Sequence, residues 1–266
     1  MGNSLLFGIS ALISLAPATI VAYRRDPGPD VLFWSSCLVG VLGPLTLVVG
    51  LYAGHWPTDL SASLWMTIAL CMSFFTGLCV VQPGAWRVAP LLTPYVVILG
   101  LIATASGQSP SHMLLTGGAS LWVKAHILIS VATYALVTLA ALYGLAVLLQ
   151  ERALKSRHRT RLTGLLPSVM DAERLQVRLL VVSEIILGAG LATGFVSQIL
   201  VTGGWVGLDH KIIFAIGAFL VIGALLAAHF RTGIRGRRVA RLALLAYLFI
   251  TLGYPGVKFV TDILIG

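Results

Sequence analysis

Two short stretches carry most of the chemistry in a chain with very little charge. They are "WVKAHI" at 122–127 and "LDHKII" at 208–213. Lys124 precedes His126 by two residues, Lys211 directly follows His210, and an indole stands upstream of each histidine, at Trp122 and Trp205. Imidazole is a common metal ligand. Both stretches open apolar runs, so each imidazole and its neighbouring ammonium sit where a helix N-terminus favours an anion. Such a set suits a planar, metal-containing ligand that bears carboxylates, and haem is one. Two other readings use the same residues. Ordinary interfacial polar side chains would form the same pattern. A zinc ion would need three or four donors, and Asp209, His55 and His112 are available, although no H-E-x-x-H accompanies them.

The elements that position these residues follow from composition. Apolar residues make up 58% of the 266, charged residues 10%, and the mean hydropathy is +0.97. A soluble domain is about a quarter charged, so this chain is not one. Apolar runs of about 20 residues recur, the length that crosses the hydrocarbon as a helix. The ~10-residue alternating strands of a membrane barrel are absent from the pattern. The expected fold is all-α, a polytopic membrane bundle of about eight spans in one integral domain, 1–266. The spans fall at 4–23, 31–53, 62–81, 88–105, 123–149, 178–201, 211–230 and 240–261, with a basic segment at 150–177. Within that segment Ser168 and Asp171 form a capping-box pattern, starting a helix that runs into the sixth span. Pro255 interrupts the eighth. The first span has no basic stretch before it and is expected to be retained rather than cleaved.

Orientation follows from Lys and Arg. Fifteen of the eighteen fall in the connections after spans 1, 3, 5 and 7. The exceptions are Lys124, Lys211 and Lys258. Cytoplasmic loops carry the excess, so both termini are expected outside, that is, periplasmic in a bacterial inner membrane. The net charge of +9 then reflects topology and anionic lipid, not nucleic acid. Cys37, Cys71 and Cys79 lie in apolar runs without C-x-x-C spacing and read as small buried hydrophobes.

This map places His126 and His210 on the same, outer side at similar depth, facing each other if spans 5 and 7 are neighbours. His229 lies at the other end of span 7, nineteen residues or about 28 Å from His210, so the two cannot share a ligand. Glu184 is the one carboxylate deep inside a span, a functional candidate by its cost, and His229 or Arg231 would meet its charge. Small residues, among them Gly144 in span 5 and Gly188, Gly190 and Gly194 in span 6, predict close helix packing. No nucleophile elbow, phosphate loop or acid–base carboxylate pair is present, which points away from an enzyme.

Several stretches in fixed order resemble the cytochrome c assembly membrane-protein family (CcsA, CcmC and HemX-like), within it the bacterial inner-membrane YpjD branch. They are "WVKAHILISVATYALVTLAALYGLAVLL", "LPSVMDAERL", "LGAGLATGF" with Thr193 and Gly194, and "DHKIIFAIGAFLVIGALLAAHFRTGIRGRR". The resemblance spans about residues 121–241; the first four spans match only in number and hydropathy. It implies haem handling at the outer face in cytochrome c maturation or a related step. His126 matches the outer histidine that begins a span, His126 and His210 become the iron ligands, and Lys124 and Lys211 lie near the propionates. Trp122 and Trp205 line the site, and His229 matches a histidine on the inner side of the haem path. The Trp-rich outer motif of haem lyases is reduced here to Trp205 and "DHK", and the late outer histidine is absent. Besides lipid and haem, another inner-membrane protein is an expected partner. A cofactor-free accessory subunit and a small transporter using Glu184 are the alternatives.

Overall fold

The computed structural model describes residues 2–24, 28–53, 57, 59–107, 121–202, 210–256 and 259. Among them, eight helical segments are long and apolar enough to cross a membrane. The first is two helices, α1 (Gly2–Ser14) and α2 (Ala16–Ala22), broken at Leu15. Pro17 explains the break, because it has no N–H to continue the ladder from the preceding turn. Next come α3 (Val31–Tyr52) and α4 (Leu60–Val81), capped by the carboxylates of Asp30 and Asp59, and α5 (Ala89–Ser106) after a 3-10 turn at Ala85–Val88. The second half comprises α6 (Leu121–Ser156), the short α7 (Arg161–Leu165), α8 (Val169–Thr202), α9 (His210–Thr232) and α10 (Arg237–Thr251). Past Thr251 the last span continues as a π-helical turn, Leu252–Gly256, around Pro255. The helix into the sixth span starts where the sequence placed it, with the amide of Asp171 donating to Ser168 Oγ at 3.2 Å.

α6 is the axis of the bundle. Of its most apolar membrane-length window, 83% is buried inside the protein, against 22–50% for the other spans. It packs on α8, α10 and α4; α1, α2, α3 and α5 complete the other side around α4. The peripheral helices turn Phe7, Leu32, Val49, Val80, Ile185 and Leu220 outward, as a bundle in hydrocarbon should. Polar groups turn inward. At mid-span the hydroxyls of Tyr95, Tyr134 and Tyr247 lie 3.0–3.5 Å from one another, joining α5, α6 and α10. Three hydroxyls can each donate once and accept once, so the cluster satisfies itself where no water is available.

The four basic connections meet at one end. Arg161 donates to the carbonyl of Tyr23 at 2.8 Å, and Tyr23 Oη donates to that of Pro90 at 2.6 Å. Arg178 donates to Gln82 at 2.8 Å, and Arg237 pairs with Glu151 at 2.6 Å. This basic end is held by buried Gln150, whose amide nitrogen lies 2.9–3.2 Å from the carbonyls of Thr163, Leu166 and Pro167 and so ties α7 and the start of α8 to α6. Replacing Gln150 by Leu strands these acceptors, at a cost of about 1–3 kcal/mol. The thermal midpoint of the purified protein should drop by several degrees, since roughly 2–4 °C accompanies each kcal/mol at this size. An unchanged midpoint would show that the α7 turn is held by other means.

Candidate functional site

At the end opposite the basic connections, α6 and α8 lie antiparallel and touch through a gap of small residues. Trp122 and His126 are four residues apart, one turn, and therefore share the α6 face that meets α8. Both reach Thr193. The Trp122 indole N–H donates to the Thr193 carbonyl at 3.2 Å, and His126 Nδ1 lies 3.1 Å from the Thr193 hydroxyl. The hydroxyl in turn donates to the carbonyl of Gly190 at 3.0 Å. The imidazole fits here because the next residue of α8 is Gly194: a methyl group there would lie 3.0 Å from His126 Cε1. Ile129, almost one turn on, occupies the matching space over Gly190. His126 thus engages α8 through Nδ1, with the Gly190 carbonyl a further hydrogen-bond partner of the ring. A histidine held through one ring nitrogen can ligate through the other, so the donor chemistry fits haem iron.

The other expected site residues are placed as follows. Lys124 is half-buried and two residues from His126, which sets it about 200° around the helix from Trp122, on a different side of α6. His210 opens α9 at the same end of the bundle. Its side chain, that of Lys211 and the whole of Trp205 lie outside the described residues, as do His55, His112 and Asp209. α9 packs on α8 and α10, and so does α6. The four helices thus close a ring in which α6 and α9 stand across from each other. Spans 5 and 7 are opposed rather than packed as neighbours. Among the described residues no three His, Cys, Asp or Glu side chains converge on a metal position.

His229 sits at the basic end, where its Nδ1 is 2.8 Å from the carbonyl of Ile234. Gly233 and Gly236 take positive φ there, and the imidazole closes the turn from α9 into α10. Glu184 does not meet it, nor Arg231, which is exposed. The reason is rotation along α8: Glu184 faces α9 at Gly223, where a methyl group would lie 3.0 Å from Oε1. That is six residues, about 9 Å, short of His229. Glu184 Oε2 is buried without a hydrogen-bond partner among the described residues.

A family model described as Cytochrome C assembly protein matches residues 32–265. The chain belongs to the cytochrome c assembly protein family. It is 46% identical over 271 residues, covering all of both chains, to an "uncharacterized 28.8 kDa protein in nifR3-like 5'region" of Azospirillum brasilense. It is 27% identical over 181 residues to inner membrane protein YpjD of Escherichia coli K12, covering 67% of this chain and 66% of that one. No solved structure matches. The family match takes in the second, third and fourth spans from residue 32 onward, where the motifs alone were silent.

Thr193 and Gly223 were not assigned roles from sequence, and Gly194 was expected only to allow close helix packing, which it does against His126. The one available signal was that Thr193 and Gly194 stood in a family-like stretch. Glu184 provides a test of the site's limits. If its carboxyl is only an unmet burden, Glu184→Leu should raise the thermal midpoint, by about 1–3 kcal/mol of recovered stability, while Glu184→Gln should not. A lower midpoint for Glu184→Leu would instead make the carboxyl a structural hydrogen-bonding group.

Proposed function

We propose that this cytochrome c assembly family member handles haem in a bacterial inner membrane, holding it at the end of the bundle opposite the basic connections. The His126–Thr193 contact is what supports this reading: an imidazole gripped by a neighbouring helix through one nitrogen, with the other nitrogen left for iron. His210 supplies the second ligand from the opposed helix, and Lys211 beside it serves a propionate, while Lys124 stands on another side of α6. Trp122 and Trp205 shield the ring system. The haem would be held or passed on, in support of cytochrome c maturation or a related step of haem traffic. The chain would not itself form thioether bonds. His229 and Arg231 stand at the far end of the path, close to where haem would enter.

Protein purified from haem-replete cells should show a Soret band that is lost in the His126→Ala, His210→Ala double variant. No Soret band in the parent, or an undiminished one in the double variant, would sink the assignment. In the first case the competing reading, a cofactor-free accessory subunit of another membrane protein, takes its place. The half-buried Glu184 on the lightly covered α8–α9 pair is the feature that favours it.

The proposed orientation puts the site on the periplasmic side. The excess of Lys and Arg in the connections after spans 1, 3, 5 and 7 carries this, since those connections meet at one end. Alkaline phosphatase fused after Gly266 should be active and a fusion within 157–160 inactive. The reverse pattern would move the site to the cytoplasm.

A further inference from the structure

We infer that Thr193 is a positioning residue that fixes the tautomer of His126, so that the proton stays on Nδ1 and Nε2 is the nitrogen presented to a metal. The inference rests on the haem-holding reading for its purpose but not for its geometry. A neutral imidazole carries one N–H, and its position is set by what the ring nitrogens face. Nδ1 faces Thr193 Oγ1 at 3.1 Å. A threonine hydroxyl has a single hydrogen, and here it is committed to the Gly190 carbonyl at 3.0 Å. The oxygen can therefore only accept from the imidazole. The order of donation runs from His126 Nδ1–H to Thr193 Oγ1, and from Thr193 Oγ1–H to the Gly190 carbonyl.

Three features hold this chain of two bonds in place. Gly190 and Thr193 belong to the same turn of α8, so the acceptor carbonyl is fixed relative to the hydroxyl. The Trp122 N–H pins the Thr193 carbonyl at 3.2 Å, so the residue is held through its backbone as well as its side chain. Gly194 lets the ring lie against α8, since a methyl group there would come within 3.0 Å of Cε1 and 3.6 Å of Nε2. A hydrogen bond donated by the second nitrogen also raises the basicity of the ligating one, and removing such a partner typically costs 10–100-fold in metal affinity.

The test uses the full chain in lipid nanodiscs, prepared without haem, with 15N-labelled histidine. The His126 resonances are assigned by their loss in His126→Gln, and spectra are taken where the ring is neutral. The parent should show a protonated Nδ1 and a bare Nε2. Thr193→Ser should preserve that pattern; Thr193→Val should lose it, giving a mixture or the opposite tautomer. The imidazole of His229, bound to the Ile234 carbonyl at the far end, reports on the fold: its signals should be the same in all three. Haemin titration should then be weaker by roughly 10–100-fold for Thr193→Val and little changed for Thr193→Ser. A parent with the proton on Nε2, or a His126 pattern indifferent to Thr193→Val with His229 unchanged, overturns the inference. If Thr193→Val disturbs His229 as well, the parent and Thr193→Ser spectra decide it. Should no form bind haemin while the tautomer responds as expected, the haem reading fails and the role of Thr193 stands.

Discussion

The α6–α8 contact is the constraint from which the rest of the molecule follows. In lipid there is no hydrophobic force to drive helices together, so they associate by close packing and internal hydrogen bonds. α6 and α8 achieve this in one antiparallel register. Near one end Gly194 of α8 admits His126 of α6; near the other Gly144 of α6 admits the fully buried Gln176 of α8, whose Nε2 would lie 2.6 Å from a methyl group there. The two contacts are eighteen residues apart on each helix, about 27 Å. A pair that stays in step over that distance is nearly straight, and it spans almost the whole hydrocarbon layer.

The two ends of this pair are built differently. The basic end is tied by several bonds: Glu151 with Arg237, Gln150 with three carbonyls, Arg161 with the Tyr23 carbonyl and His229 with that of Ile234. Those bonds use charge where water and headgroups screen it. Mid-span, polarity is confined to self-satisfied hydroxyls such as the Tyr95, Tyr134 and Tyr247 cluster. Glu184 departs from that rule, keeping a buried carboxylate oxygen without a described partner, and Gln176, nearer the basic end, keeps both its amide atoms so. At the opposite end Trp122, His126 and Thr193 are among the polar groups described, and the three are bonded to one another. The rigid part of the molecule thus ends at a place where a ligand could be added.

Much of this was legible in the sequence because hydropathy and basic charge are summed over long windows. Eight spans need only about 20 apolar residues each, and the basic connections need only be counted. What escaped was rotation and neighbourhood. The interval from Glu184 to His229 says nothing of which α9 residue stands opposite, and the answer, Gly223, has no side chain to advertise it. Likewise His126 and His210 share an end of the bundle, but only packing decides that α8 and α10 stand between their helices. The break at Leu15 was missed for a local reason: Pro17 sits in a run whose average hydropathy is unaffected by a lost N–H. Thr193 is legible only in retrospect, as the residue that Trp122 and His126, one turn apart, can both reach.

The precision of the candidate site therefore comes from a distance. Sliding α8 along α6 by one residue would move Thr193 by 1.5 Å and turn it by 100°, which would take its hydroxyl out of reach of His126. That slip is opposed mainly at the far end, where Gln176 fills the space over Gly144 and Gln150 holds the start of α8. A side chain larger than a hydrogen at Gly144 would drive against the Gln176 amide and the Ala240 backbone, forcing the helices apart or out of register. The imidazole at one end of the bundle is aimed by packing at the other, which is why a chain with so few polar residues keeps fully buried ones so far from the candidate site.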